Sequence, residues 1–269
     1  MLYHAPYRAW QLDEAANRNQ FLAALPAKDF SLLAAHLRSV QLERGVVLHD
    51  AGDEIEQVYF PLTGMISLVA VMQNGATVLA ATVGRAGVVG ATVGFGSRRA
   101  FGRAVVEMAG DAVRMAGSQF HAAAVESDTL RALVVAYNDL VLAQIQQSVA
   151  CNALHSLEAR LCRWFLEMQD CIGGNLIPLT QEIIAQMLGV RRTTLTVIAR
   201  LLQGAGMIRY RRGLISIVNR AKLEESACEC YGVIKHRIEQ ISPTSWRGMG
   251  AYSSTTMPRA QPSHTVPQT

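Results

Sequence analysis

The chain lacks any run of about eighteen apolar residues free of charge, so no helix long enough to cross a bilayer is expected. Its first twenty residues, MLYHAPYRAWQLDEAANRNQ, hold no apolar core of the kind a secretion signal carries, which points to the cytoplasm. Cysteine is sparse: the 5 cysteines of 269 residues stand at 151, 162, 171, 228 and 230. An odd number in no framework spacing argues for a reducing compartment rather than a disulfide-stapled fold. Cys228 and Cys230 read as unpaired thiols, because structural zinc wants four ligands at finger or knuckle spacing, and no metal site is assigned. No internal repeat is present, and no nucleophile is accompanied by a base, so an enzyme is not expected.

Apolar residues make up 50% of the chain, enough for one large or two modest globular domains. Residues 20–38 read as short helices around Pro26. From Val40 the apolar period becomes two: Val40 and Leu42, Val46 and Leu48, Val58 and Phe60, then Met65 to Val71, Thr77 to Val83 and Val105 to Met115. Turn residues separate them at Arg44-Gly45, Ala51-Gly52-Asp53, Pro61 to Gly64, Asn74-Gly75 and Gly110-Asp111. Short strands with such turns at close spacing indicate an all-β sandwich or barrel, and Asn74-Gly75 is the strongest hairpin signal among them.

From Ser127 to Ala153 there is neither Gly nor Pro. Leu130, Leu133, Tyr137, Leu140, Gln144, Gln147 and Cys151 recur at alternating three and four residues, the spacing of a coiled-coil seam weakened by its two glutamines. A second apolar stripe runs through Val134, Val141, Ile145 and Val149. A long helix with two such stripes can bury one on its own β-domain and the other on a second copy; an ordinary core helix is the alternative. Leu157 to Gln169 forms another amphipathic helix, ended by Gly173-Gly174-Asn175. Past Ile241 the Ser, Thr and Pro-rich tail is expected to be disordered.

The most informative stretch is LTQEIIAQMLGVRRTTLTVIARLLQGAGMIRYRRGLISIV, residues 179–218. Thr180 is placed to cap a helix whose Ile183, Ile184, Met187 and Leu188 share one face, and Gly189 ends it by taking positive φ. A second helix follows from near Arg191 to about Gln203. Leu195, Ile198, Leu201 and Leu202 are expected to face the core, leaving Arg191, Arg192, Thr193, Thr194, Thr196 and Arg200 for a partner. Thr180 and Gln181 flank them on the first helix. Ile208 to Ile217 around Arg211, Arg212 and Gly213 reads as a β-hairpin, or wing. Between Leu179 and Arg220 seven arginines face one glutamate, an excess of six against a whole-chain charge of +4, so the remainder is net acidic. A basic helix-turn-helix with a basic wing is the pattern of double-stranded DNA binding, Arg at the start of the second helix being able to grip guanine through O6 and N7. The plainer alternative is a solvated basic face.

This order resembles the Crp/Fnr family of bacterial transcription regulators over roughly residues 20–230, on the strand-turn series GVVLHDAGDEIEQVYFPLTGMISLV, the stretch GRAGVVG, and LTQEIIAQMLGVRRTTLTVIARLL. The resemblance implies an α+β fold: a cyclic-nucleotide-binding-like β-roll (20–126), a dimerisation helix (127–156), a winged helix-turn-helix (157–232) and a tail (242–269). It implies a homodimer on an inverted-repeat operator, with RNA polymerase as a further partner. Arg192 takes the place of the guanine-reading Arg, whereas Thr193 and Val197 replace the Glu and second Arg that often follow it.

The implied effector pocket involves Gly84, Gly87, Gly90, Ala91, Arg98, Arg99 and Arg103. Nucleotide-binding members use a Gly-Glu pair for the ribose and an Arg with Ser or Thr for the phosphate. Here Ala91 follows Gly90, no such Arg pair is present, and the adenine-contacting hydroxyls of the long helix are replaced at Ile145 and Gln146. A buried ribose hydroxyl without its acceptor costs about 1–3 kcal/mol, so cyclic AMP is not expected to bind well, no cofactor is assigned, and tight corners of a roll are the other explanation of the glycines. Members that sense oxygen through an iron-sulfur cluster need clustered N-terminal cysteines, which are lacking. His4, His36 and His49 each stand alone, and His49, Glu54 and Glu56 lack the further His of a metal-holding roll. The leading expectation is a DNA-binding regulator; the alternative is a metabolite- or nucleotide-sensing roll in which DNA contacts are secondary.

Overall fold

A computed structural model describes residues 18–211 and 213–240. Two short helices, α1 (Gln20–Ala23) and α2 (Ala27–Ala34), precede seven strands: β1 (Arg38–Leu42), β2 (Val47–His49), β3 (Gln57–Pro61), β4 (Met65–Val71), β5 (Thr77–Val83), β6 (Arg103–Met108) and β7 (Gly110–Ala116). A 3₁₀ turn, Ala91–Phe95, lies between β5 and β6. The strands form two antiparallel sheets, ordered β1-β7-β3 and β2-β6-β4-β5. Leu42, Tyr59, Ile66, Val83, Val106 and Ala112 fill the space between them.

The outer face of β1-β7-β3 is covered as well, by α1, α2, α3 (Gly117–Glu126) and the inner face of α4 (Asp128–Leu154). Burial on both faces explains why β3 reads as an unbroken apolar run: Val58 and Phe60 face the helices while Tyr59 faces the roll. Phe60 meets Phe21 and Phe120 with ring centroids 6.0 Å apart in each case. Asn19 is fully buried and fixes this layer to the roll: its side chain accepts from Leu22 N and donates to Pro61 O and Gly87 O.

The Asn74-Gly75 hairpin forms as expected, with Gly75 at φ 81° and Asn74 Oδ1 accepting from Ala76 N. The break expected at Gly110-Asp111 falls one residue earlier, at Ala109, where the chain passes from one sheet to the other. Gly64 is required beneath that corner. It sits at φ 74°, and a Cβ there would lie 2.5 Å from Met108 O.

Helix α4 is capped by Ser127, whose Oγ accepts from Leu130 N and donates to Asp29. Its phase corrects one expectation. Leu130, Leu133, Tyr137 and Leu140 belong to the chain's own core, Cys151 is buried among other cysteines, and Gln144 and Gln147 are half-buried on the same side. The stripe read as an intermolecular seam therefore packs within the chain, because it continues the aromatic core around Phe60. Val134, from the second stripe, is buried too. The apolar stripe left on the outer face is Val135, Leu142 and Val149, seven residues apart and 37%, 52% and 66% exposed.

After α4 come α5 (Leu157–Ile172), β8 (Leu176–Ile177), α6 (Gln181–Leu188), α7 (Arg192–Gly204), β9 (Ile208–Arg211), β10 (Leu214–Ile217), α8 (Arg220–Ser226) and α9 (Cys230–Gln240). This module has its own core around Trp164, Phe165, Leu195, Leu202 and Ile215, to which Met65 and Met108 of the roll also belong. Strand β8, whose pairing makes a three-stranded sheet β8-β10-β9, and helices α8 and α9 went unread in the sequence. The expected tail, 242–269, lies outside the described residues.

Replacing Phe60 with Ala should lower unfolding free energy by about 3–5 kcal/mol, measured by urea denaturation.

Candidate nucleic-acid interface

Thr180 caps α6, its Oγ1 accepting from Ile183 N at 3.4 Å, and Gly189 closes the helix at φ 67° with its N–H bonded back to Gln186 O. The chain turns there into α7. Ile184, Met187 and Leu188 from α6 and Leu195, Ala199 and Leu202 from α7 are buried where the two helices pack. Arg191 stands at the N-cap of α7 and no side chain caps that end. The first-turn N–H groups of α7 therefore meet solvent or a ligand, a setting that favours anions.

Arg191, Arg192, Thr193, Thr194 and Arg200 are all exposed along α7. Gln181 and Thr196 differ from them: both are half-buried, and the Thr196 hydroxyl lies 2.8 Å from Gln181 Oε1 and 2.9 Å from Arg192 O, tying the two helices together. Arg192 also meets Glu182 at 3.4 Å, an exposed pair of little energetic weight. Arg211 is exposed at the end of β9; Arg212 lies outside the described residues.

Two expectations change. Leu201, assigned to the core, is 56% exposed, because the inward stripe of α7 runs through Leu195, Ala199 and Leu202 and Leu201 falls about 120° from Leu195 around the helix. Val197 is also 56% exposed and stands on the outward face with Thr193 and Arg200. The signal available in the sequence was its helical spacing, four residues after Thr193 and three before Arg200. Arg220, counted with the basic excess, is engaged inside the fold by Asp170, Glu224, Gln169 and Tyr231.

The residues expected at an effector pocket do not converge. Arg103 grips Asp50 through Nε and Nη2, Arg98 meets Glu54 at 3.5 Å, and Arg99 donates to Gly52 O, so all three hold the Asp50–Glu54 turn at one corner of the roll. The Asp50 carboxyl is held below its usual range chiefly by the hydrogen bond from Arg103. Gly90 and Ala91 begin the 3₁₀ turn, which packs on α3 and α4; a Cβ at Gly94 would come 3.1 Å from Val134. Gly84 and Gly87 instead line a cavity of about 550 Å³ bounded by the loop after β5 and by α4, α5 and α9. Its polar wall includes Asp170, which accepts from Tyr231 and Arg220, and Glu167, which accepts from Arg163. Burial raises the Glu167 carboxyl while Arg163 opposes the rise.

A second constellation escaped the sequence reading. Cys151 and His155 at the end of α4 meet Cys228 and Cys230 at the junction of α8 and α9, with ligand atoms all within 4.8 Å of one another. The signal present was a Cys-x3-His helical pair followed, far along the chain, by Cys-x-Cys. Cys151 is pulled below the usual thiol range, chiefly by its hydrogen bond with Cys228, and His155 is raised, chiefly by its contact with Cys151.

Residues 159–226 match the family described as the Crp-like helix-turn-helix domain. No curated protein matches the chain. Among solved structures it is similar to FixK2 from Bradyrhizobium japonicum, with a TM-score of 0.62 and 16% identity over 71% of this chain and 98% of that one. It is also similar to a CRP/FNR-family transcriptional regulator from Thermus thermophilus, with a TM-score of 0.59 and 21% identity over 71% and 98%. The c-di-GMP responsive global regulator CLP of Xanthomonas campestris gives 0.58 and 14% over 71% and 99%. At these identities the likeness is one of fold, and it spans both the roll and the C-terminal module.

Because the Arg192–Glu182 pair is exposed, Glu182→Gln should leave the melting temperature unchanged while tightening duplex binding at low salt, read by fluorescence anisotropy.

Proposed function

We propose that this chain, which combines the fold of Crp/Fnr regulators with a Crp-like helix-turn-helix domain at residues 159–226, is a homodimeric transcription regulator that reads an inverted-repeat DNA operator. The observation that carries the reading is the start of α7: an N-terminus without a side-chain cap, flanked by exposed Arg191, Arg192, Thr193 and Thr194. Placed in a major groove, it offers arginine donors to guanine, and Val197 offers an apolar surface to a thymine methyl. Arg200 and Arg211 are positioned for phosphates, and Arg212 completes the basic turn of the wing in sequence. The N–H groups of the α7 first turn add to the phosphate contacts.

Dimerisation would use the outer stripe of α4. Val135, Leu142 and Val149 recur at seven, with Asn138 and Ile145 at the intervening positions of a two-helix seam. Two copies related by a two-fold axis would present their α7 helices to half-sites about 34 Å apart, one turn of duplex. RNA polymerase is the further partner of such a regulator, and its place of action is the cytoplasm. An odd number of cysteines in no framework spacing supports that location, and no described helix is long and apolar enough to cross a membrane.

Control by cyclic AMP is not part of the proposal. Ala91 offers no carboxylate, the three arginines are held at the Asp50–Glu54 turn, and the 3₁₀ turn is packed against α4. The cavity of about 550 Å³ favours a second reading, a metabolite-sensing roll, because it joins all the parts whose relative placement a signal would change. Calorimetry separates the two: tight, stoichiometric cyclic AMP binding would overturn the account of Ala91.

Selection of bound sequences from random DNA should return a palindromic motif with strongly salt-dependent affinity. Loss of either result sinks the main reading. Arg192→Ala should weaken binding by about 1–3 kcal/mol and relax one base position, whereas Arg211→Ala should weaken all sequences alike and flatten the salt slope. Leu142→Asp should leave a folded monomer by analytical ultracentrifugation.

A further inference from the structure

We propose that Cys151, His155, Cys228 and Cys230 form a tetrahedral site for one zinc ion that fastens the end of the long helix to the C-terminal helix. The inference stands whether or not duplex binding holds. Two local geometries create the set. Cys151 lies in the last turn of α4 and His155, four residues on, is its C-cap, held over Cys151 by the hydrogen bond from the His155 N–H to Cys151 O. Cys228, in the short link after α8, and Cys230, the first residue of α9, flank Glu229. Tertiary folding brings the two pairs together across 77 residues.

The distances suit one ion. Zinc–sulfur bonds of about 2.3 Å and zinc–nitrogen bonds of about 2.0 Å give tetrahedral edges of about 3.5–3.8 Å. Cys151 Sγ and Cys228 Sγ are 3.5 Å apart, and Cys230 Sγ lies 3.4 Å from His155 Nδ1. The widest separation in the set, within 4.8 Å, requires a contraction of about 1 Å on binding. Ligand atoms this close leave no room for several irons bridged by sulfide.

The surroundings are those of a metal site. His155 turns Nδ1 toward the thiols, while its Nε2 lies 3.1 Å from Glu229 Oε1. A carboxylate there accepts a hydrogen bond from Nε2–H and so favours the tautomer whose Nδ1 is free to ligate. Gln147 Nε2 donates to Cys230 Sγ at 3.0 Å, an orienting contact for a thiolate. The three cysteines are buried. Arg160 and Arg163, also buried, each keep an Nε without a hydrogen-bond partner. Three thiolates, one neutral imidazole and one Zn²⁺ carry a net charge of −1, which these guanidiniums would offset.

On binding, three Zn–S bonds and one Zn–N bond form, and the protons still on the thiols pass to solvent. All four ligands come from the protein, so the site has no open position for substrate and its role is structural. It would clamp α9 and the end of the DNA-binding module to the last turn of α4.

The test uses the full-length, reduced protein. As purified it should contain one zinc per chain. After metal removal it should take up one equivalent of Co²⁺, with thiolate-to-cobalt charge transfer and the intense d–d bands of a tetrahedral ion, bleached by one equivalent of Zn²⁺. Cys162→Ser, which alters a buried cysteine outside the set, should keep this behaviour, and the Cys228→Ser, Cys230→Ser double variant should lose it. His155→Cys should retain one equivalent with stronger charge transfer, and Glu229→Gln should weaken zinc binding about 10- to 100-fold. A reduced wild-type chain that binds no Co²⁺ or Zn²⁺ overturns the proposal, as does an iron-sulfur absorption spectrum or a Cys151–Cys228 disulfide in protein isolated without air.

Discussion

Burial of the inner face of α4 is the constraint on which the molecule depends. Leu130, Leu133, Val134, Tyr137 and Leu140 close the aromatic layer that Phe21, Phe60 and Phe120 build over the β1-β7-β3 sheet. That packing fixes the rotation of a 27-residue helix about its axis. Once the rotation is set, the position of Cys151 and the outward stripe at Val135, Leu142 and Val149 follow from helical geometry alone, and His155 caps the helix one turn beyond Cys151. A single apolar contact surface near the N-terminal half of α4 thereby determines what its other end presents to the remaining domain.

The same helix shows what a sequence can and cannot disclose. Strands β1 to β7 and the α6–Gly189–α7 unit were legible because their signals are local: period-two runs between turn glycines, and a 3.6-residue stripe broken by a residue able to take positive φ. The phase of α4 was not. Both of its faces are apolar, and periodicity cannot say which face meets the chain's own roll. Leu201 was misplaced for a related reason, since a stripe drawn through every leucine of a short helix is wider than the stripe that packs. Charge counting had its own blind spot: Arg220 adds to a basic segment in sequence, yet Asp170, fifty residues away, claims it. The Cys-His set was hidden because each half looks ordinary until tertiary structure joins them.

The roll shares its fold with Crp/Fnr-family structures, and three of its arginines are engaged within it. Arg98, Arg99 and Arg103 hold the Asp50–Glu54 turn, and glycines of the 3₁₀ segment permit close packing against α3 and α4. The open volume lies at the junction of roll, long helix and C-terminal module. A ligand seated there would touch the roll, the long helix and the C-terminal module at once.

Helix α6 and Gly189 lie against β5, an outermost strand of its sheet, with Gln186 bonded to Thr77 and Val78 close to the glycine. An uncovered outer strand is a template for pairing with another chain. Helix α6 thus also covers part of that strand. Lifting the helix away would leave that edge of the sheet more open to pairing with another chain, so the contact works against clumping.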